Sequence, residues 1–322
     1  MHRAAVVIVA ACALGLSSCV SQTNQPSSET NPTELTVPRE DSPRFTWPVT
    51  IETDELSVAE VDVPILENNG RVLALAVGSG EVADLLGAGN QLVGKDETSS
   101  TSREVPTVTQ AHQIDIEQAV SLRPTVVLVD DLTGPPEAID ALSASGAKII
   151  NIPSVWTLND INDRVSAIAD AIGASAESAR ELSAALTQNT EVSNSASPRV
   201  AFLYLRGPSA IYLLGGESTG ADALIEAAGG IDVGAELGYD GFVPLTAEAI
   251  IEADPEVLLV MKDGLESVGG IDGLLELPGV EQTRAGENRR VVVVEDQVLL
   301  SFGARTPALI SRLAEVFTEG LT

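Results

Sequence analysis

Glu117-Gln-Ala-Val-Ser-Leu-Arg-Pro-Thr-Val-Val-Leu-Val129 is the stretch on which the fold turns. Its first half reads as a helix. Pro124 ends that helix, because proline has no N–H to donate and restricts the residue before it. The apolar run that follows reads as a buried strand. The same helix, proline turn and strand return 131 positions later in Glu248-Ala-Ile-Ile-Glu-Ala-Asp-Pro-Glu-Val-Leu-Leu-Val260. Upstream, Leu85 to Gly94 resembles Leu224 to Gly234, offset by about 140 positions. Helix-Pro-strand units are common, so chance similarity is one explanation. Two matches in the same order favour the other, an internal duplication that makes two lobes of similar fold.

Working outward, Val72-Leu-Ala-Leu-Ala-Val77, Val126–Val129 and Lys148-Ile-Ile-Asn-Ile152 are short apolar strands of the first half. Val82 to Ala88, closed by Gly89, and Pro136 to Ser145 read as helices between them. The second half offers strands at Val200–Leu205, Ile211–Leu214, Val257–Met261 and Val291–Val294. Its helices are Asp222–Ala228, ended by Gly229-Gly230, and Thr306–Phe317. Strands alternating with helices predict an α/β fold with parallel-type sheets. Between the halves, Ile161, Val165, Ile168, Ile172, Leu182 and Leu186 recur at helical spacing. That predicts one long α-helix over Leu158 to Thr187, with Gly173 a point for it to bend or split. Thr157 to Asp160 resembles a capping box with Asp in place of Glu.

The N-terminus carries Arg3, an apolar run from Ala4 to Leu16, then Leu16-Ser17-Ser18-Cys19. The run is far shorter than the roughly 20 residues a membrane-spanning helix needs. The pattern is that of a lipobox, in which Cys19 takes the lipid. Val20 to about Glu67 is rich in Ser, Thr, Pro, Asn and Glu and reads as a tether. A small strand is expected near Pro48 to Val63. The expected divisions are a signal peptide over 1–19, a flexible tether over 20–67, an N-terminal lobe over 68–157, a linker helix over 158–189 and a C-terminal lobe over 190–322. Among 322 residues, 47 acids against 18 bases give a formal charge of −29. That balance, with no basic run, argues against nucleic acid, whose phosphates need clustered Lys and Arg. Cys19 would be the only cysteine once the signal is removed, so no disulfide framework and no cysteine metal site is expected.

The sequence of lipobox, tether, α/β lobe, long helix and second α/β lobe resembles the substrate-binding proteins of ABC importers for siderophores, cobalamin and haem. The resemblance covers about Arg71 to the C-terminus. Val108-Thr-Gln-Ala-His112, Leu122-Arg-Pro-Thr-Val-Val-Leu128, Gly264-Leu-Glu-Ser-Val-Gly-Gly-Ile-Asp-Gly-Leu-Leu-Glu-Leu-Pro-Gly279 and Leu299-Leu-Ser-Phe-Gly303 look like the actinobacterial haemin-binding lipoproteins of the HmuT type. The resemblance implies two lobes joined by a single helix and a ligand cleft between them. It implies haem as cargo, a permease and ATPase as partners, and an anchor on the outer face of the cell membrane.

His112 is the sole histidine outside the signal and precedes the Glu117 helix. Taken alone it is a surface-loop histidine. Loops at the carboxyl ends of sheet strands face the cleft in such folds, and the repeat puts Tyr239 in the matching loop of the second lobe. Haem iron accepts an imidazole nitrogen or a phenolate oxygen. The resemblance implies such a pair, and it is carried to His112 and Tyr239. Phe242, Arg206, Arg305 and Met261 are further candidate haem contacts, and Arg103 and Lys95 are candidates for the propionates. Tyr204 and Tyr212 lie within strand patterns and read as core. In this class acidic residues on each lobe meet permease arginines, and Glu81 and Asp222 are candidates. Each stands at a helix N-terminus, where capping is the alternative role.

Other classes fit less well. Gly78-x-Gly80 after a strand suggests a phosphate loop, but the third glycine is missing. No nucleophile elbow and no second histidine accompany it, so no enzyme is expected. A zinc or manganese carrier would need more histidines. A siderophore or cobalamin carrier shares the fold and remains the alternative.

Overall fold

Pro124 and Pro255 end their helices in the same way. The residue before each, Arg123 and Asp254, adopts a left-handed backbone with φ of 48° and 37°. The proline ring disfavours the right-handed helical region at that position. The structure, a computed structural model, describes residues 46–67, 69–110, 112–188 and 197–319. The signal, Cys19 and the first half of the tether lie outside the described residues.

Strand β1 (Val49–Ile51) is the small strand expected near Pro48, but it joins the sheet of the C-terminal lobe. The N-terminal lobe holds β2 (Val72–Ala74) and β3 (Leu92–Lys95), then a hairpin of β4 (Thr109–Gln110) and β5 (Gln113–Ile114), then β6 (Val126–Val129) and β7 (Lys148–Asn151). Its four-stranded sheet has the order β3-β2-β6-β7 and is parallel throughout. The C-terminal lobe holds β8 (Arg199–Arg206), β9 (Ile211–Gly215), β10 (Ile231–Asp232), β11 (Phe242–Pro244), β12 (Val257–Met261) and β13 (Val291–Val294). Its order is β1-β13-β12-β8-β9-β11, with β10 beside β8. The repeated strands β6 and β12 are both interior strands with parallel neighbours. Here β9 and β11 depart from the parallel pattern. Only four residues link β8 to β9, too few for the crossover that a parallel pair requires.

The linker is two helices, not one. After α1 (Ser79–Ala83), α2 (Ile116–Ser121) and α3 (Pro136–Ala144) come α4 (Asp160–Ile172) and α5 (Ala176–Leu186). Gly173 caps α4 in the left-handed region with φ 80°, a conformation glycine enters without Cβ strain. Ser175 then opens α5 by accepting the Ser178 N–H at 3.0 Å. The capping box near Thr157 is half present: the Asp160 carboxylate accepts the Thr157 N–H at 2.8 Å, but Asn159 is the cap residue.

Alternation along the strands divides the core. Val72, Ala74, Leu128, Val200, Phe202, Val257, Leu259, Val292 and Val294 face inward onto one cluster with Ile161, Val165, Ile168 and Leu182 of the linker. The intervening residues form a separate outer cluster on each lobe, around Leu73 and Val127 and around Leu203 and Leu258. One core therefore runs through both lobes. Residues 49–66 strap the two: Ile51 is fully buried, the Ala59 N–H donates to the Ala304 carbonyl at 2.8 Å and the Leu66 N–H to the Gly87 carbonyl at 2.9 Å. The later part of the expected tether thus belongs to the folded body.

Candidate functional site

At the carboxyl ends of β2, β6, β8 and β12 lies a cavity of about 530 Å³, a size that takes an organic cofactor. His112 reaches it from the turn between β4 and β5, where its φ is 63°. Leu132 and Trp156 line the same wall of the first lobe and are exposed. The second lobe contributes Tyr204, Arg206 and Met261. Tyr204 and Arg206 sit two apart on the inward face of β8, and the Arg206 guanidinium lies 4.9 Å from the Tyr204 ring centroid. Phe242 packs tilted against that ring, with centroids 5.5 Å apart, and is not itself among the lining residues.

Tyr239 is not brought to the cavity. Its side chain packs against the outer cluster of the second lobe. Its N–H and carbonyl are bound to Gly234 and Glu217. The repeat offset pointed to the Tyr239 loop, but that ring lies against the outer cluster and not among the residues lining the cavity. Tyr204, expected in the core, is the cavity-facing tyrosine. Residues 202, 204 and 206 share a face, and the strand leaves the core as it runs from Phe202, fully buried, to Arg206, half-buried. A Tyr-x-Arg pair at the carboxyl end of an interior strand was the signal for it.

Glu81 and Arg305 have another use. Glu81 is buried, its carboxylate pairing with Arg305 Nη1 at 2.9 Å and accepting the Ala304 N–H at 2.9 Å. It therefore bridges the lobes rather than standing free for a permease, and Arg305 is drawn away from the cavity to meet it. Burial pushes the Glu81 carboxyl above its ordinary value, with the Ala304 N–H and Arg305 pulling against it. Asp222 is half-buried and accepts the Ser218 N–H at 3.1 Å, as a capping carboxylate does. Lys95 and Arg103 donate to backbone carbonyls of Ser99 and Leu92 and do not line the cavity.

The Gly78-x-Gly80 turn is not available to a phosphate. Gly78 N–H donates to Asp96 at 3.1 Å and Thr98 Oγ1 at 2.9 Å, and Gly80 N–H to Ser99 Oγ at 2.9 Å. Val77 N–H is taken by Asp130 at 2.8 Å. Behind this turn Arg164 of α4, almost fully buried, donates to the Val77 carbonyl and to Pro153 at 2.8 Å, with Asp130 at 3.8 Å. Burial lowers its pKa, while Asp130 and Asp96 oppose the shift. Asp96 is pushed up by burial, against hydrogen bonds from Ser99, Thr98 and Gly78. This network stiffens the cavity wall. On the other wall burial raises the Asp296 carboxyl, with the Asp263 N–H bond and the Arg206 charge acting against it. Arg164 and Arg206 are the cations among the described lining residues.

Known proteins share this architecture. A family model described as periplasmic binding protein matches residues 72–298. The periplasmic heme-binding protein RhuT from Roseiflexus sp. RS-1 is 32% identical with a TM-score of 0.72, over 79% of this chain and 100% of its own. The heme-binding protein HmuT is 30% identical with a TM-score of 0.73, over 84% of this chain and 97% of its own; its structures include single alanine variants of a histidine, a tyrosine and an arginine. An uncharacterized ABC transporter substrate-binding lipoprotein, YvrC of Bacillus subtilis (strain 168), is 21% identical over 279 residues, 84% of this chain and 85% of its own. With the family model spanning both lobes and the cavity between them, the chain belongs to the periplasmic binding protein family.

Proposed function

We propose that this chain is the haem-binding component of an ABC haem importer, with His112 and Tyr204 as the axial ligands. The observation that carries the reading is one cavity that takes an imidazole from the first lobe and a Tyr-x-Arg pair from the second. Ferric iron is a hard acid and accepts imidazole and phenolate. Arg206, stacked on the Tyr204 ring, stabilises negative charge on the phenol oxygen once iron has displaced its proton. Leu132, Trp156 and Met261 supply apolar wall for the porphyrin. Spacing supports Tyr204 over Tyr239. In HmuT the varied tyrosine and arginine stand two positions apart, with the varied histidine 99 positions before the tyrosine. Here Tyr204 and Arg206 are two apart, and His112 precedes Tyr204 by 92 positions but Tyr239 by 127.

The chain is a binding protein rather than an enzyme, held outside the cell membrane by a lipid on Cys19 and delivering haem to a permease and its ATPase. Docking is assigned to Glu117 and Glu248 rather than to Glu81 and Asp222. They are equivalent in the repeat, both exposed, and each lies in the first turn of its helix. Alanine at both leaves haem affinity unchanged and abolishes uptake.

The test is a haemin titration of the full chain followed at the Soret band, with His112→Ala, Tyr204→Phe and Tyr239→Phe in parallel. Saturable one-to-one binding is expected, weakened and spectrally altered by the first two variants and not by the third. A change with Tyr239→Phe alone overturns the ligand assignment. A folded wild-type chain that ignores haemin overturns the haem reading and leaves a siderophore or cobalamin carrier.

A further inference from the structure

His112 sits at an awkward place for an ordinary residue. It is the second residue of a two-residue turn between Gln110 and Gln113, with a left-handed φ of 63°. Glycine and asparagine suit such turns. The His112 N–H is bonded outside the hairpin. The Glu97 carboxylate takes that N–H at 2.9 Å and lies 4.0 Å from the imidazole Nδ1 through the same oxygen. Glu97 is itself anchored. Its N–H donates to Thr109 Oγ1 at 2.9 Å, at the start of the same hairpin. Its neighbour Asp96 is buried and bound by Gly78, Thr98 and Ser99. A carboxylate on a stiff mount therefore grips the backbone and faces the ring of one residue at the cavity wall, which it also lines.

We infer that Glu97 is a positioning residue for haem ligation: it holds the His112 backbone in its left-handed turn and accepts the Nδ1–H of the imidazole, leaving Nε2 as the nitrogen offered to the iron. This rests on the haem reading above. Closing the 4.0 Å gap to a hydrogen bond needs only a small rotation of two half-exposed side chains. An imidazole that donates to a carboxylate has its tautomer and ring orientation set and becomes a stronger donor to the metal. The negative charge also favours ferric over ferrous haem.

Glu97→Gln keeps an oxygen for the His112 N–H but removes the charge. We measure haemin affinity, the ferric absorption and resonance Raman signature, and the haem reduction potential, all on the full chain. The variant is expected to melt with the wild type, bind haemin about tenfold more weakly or worse, and show a raised reduction potential and an altered ligand signature. In a His112→Ala background the same substitution is expected to change none of these. Wild-type affinity, potential and spectrum in Glu97→Gln overturn the inference and leave the haem reading standing. So does an equal loss of affinity with and without His112, which marks Glu97 as merely structural. A wild-type chain that does not bind haemin overturns both.

Discussion

Replacing Arg305 by alanine removes one half of the bridge between the lobes and leaves the Glu81 carboxylate buried with the Ala304 N–H as its remaining described partner. Breaking a fully buried ion pair in this way costs about 3–5 kcal/mol. The Glu81 and Arg305 side chains keep 10% and 20% of their exposure, so the loss is expected at or just below the low end, roughly 2–3 kcal/mol. For a body of this size that is a fall of about 5–10 °C in the thermal midpoint. The pH dependence has a definite sign. Burial already holds the Glu81 carboxyl above its ordinary value of 4.5 with Arg305 pulling it down, so removing Arg305 lets it rise further. A carboxyl whose folded pKa is raised contributes stability that is complete below its unfolded value and is lost as pH rises through the folded value. The Arg305→Ala deficit should therefore be smallest near the unfolded value and grow toward neutral pH. Urea denaturation of variant and wild type at acidic and neutral pH measures it. A deficit under about 0.5 kcal/mol at neutral pH, the scale of an ordinary surface substitution, or one that does not grow with pH, refutes the argument.

Asp232 is pushed up to about 7, first by burial, while capping the helix Val233–Glu236 through Ala235 at 2.7 Å. Asp232→Asn keeps the cap oxygen and removes the charge, so it should match wild type in acid and exceed it above neutrality by up to about 4 kcal/mol, from 1.36 kcal/mol per pK unit; parallel denaturation curves from acid to alkali would refute this. Gly173→Ala should destabilise by about 1–2 kcal/mol because of its left-handed φ, whereas a continuous linker helix would gain stability from alanine. Ile51→Ala should cost about 2–5 kcal/mol as a core truncation; a change within the error of a thermal melt would return residues 49–51 to the tether.

The two proline-punctuated units were legible because their signal is local: a missing N–H and a barred backbone region act within two residues of Pro124 and Pro255. The linker split was half legible, since Gly173 marks the break, but helical spacing continues on both sides and cannot say whether the chain turns. The cavity histidine was reached through its place before the Glu117 helix, the repeat and the family resemblance together. The cavity tyrosine was not, because its one local signal, Arg206 two positions on, does not say which face of the sheet meets the cleft.

Local chemistry and periodicity alone thus determined the α/β class and the paired units, and the family resemblance added His112 as a candidate ligand. Tertiary structure decided the rest. Which sheet face meets the other lobe selects Tyr204 over Tyr239, because alternation along a strand fixes two faces without saying which is inside. Whether Glu81 is a surface carboxylate or an inter-lobe bridge depends on Arg305, 224 positions away, and no local spacing brings such partners together. The strap β1 joins a sheet whose other strands lie between residues 199 and 294, a pairing set by the shape of the completed core.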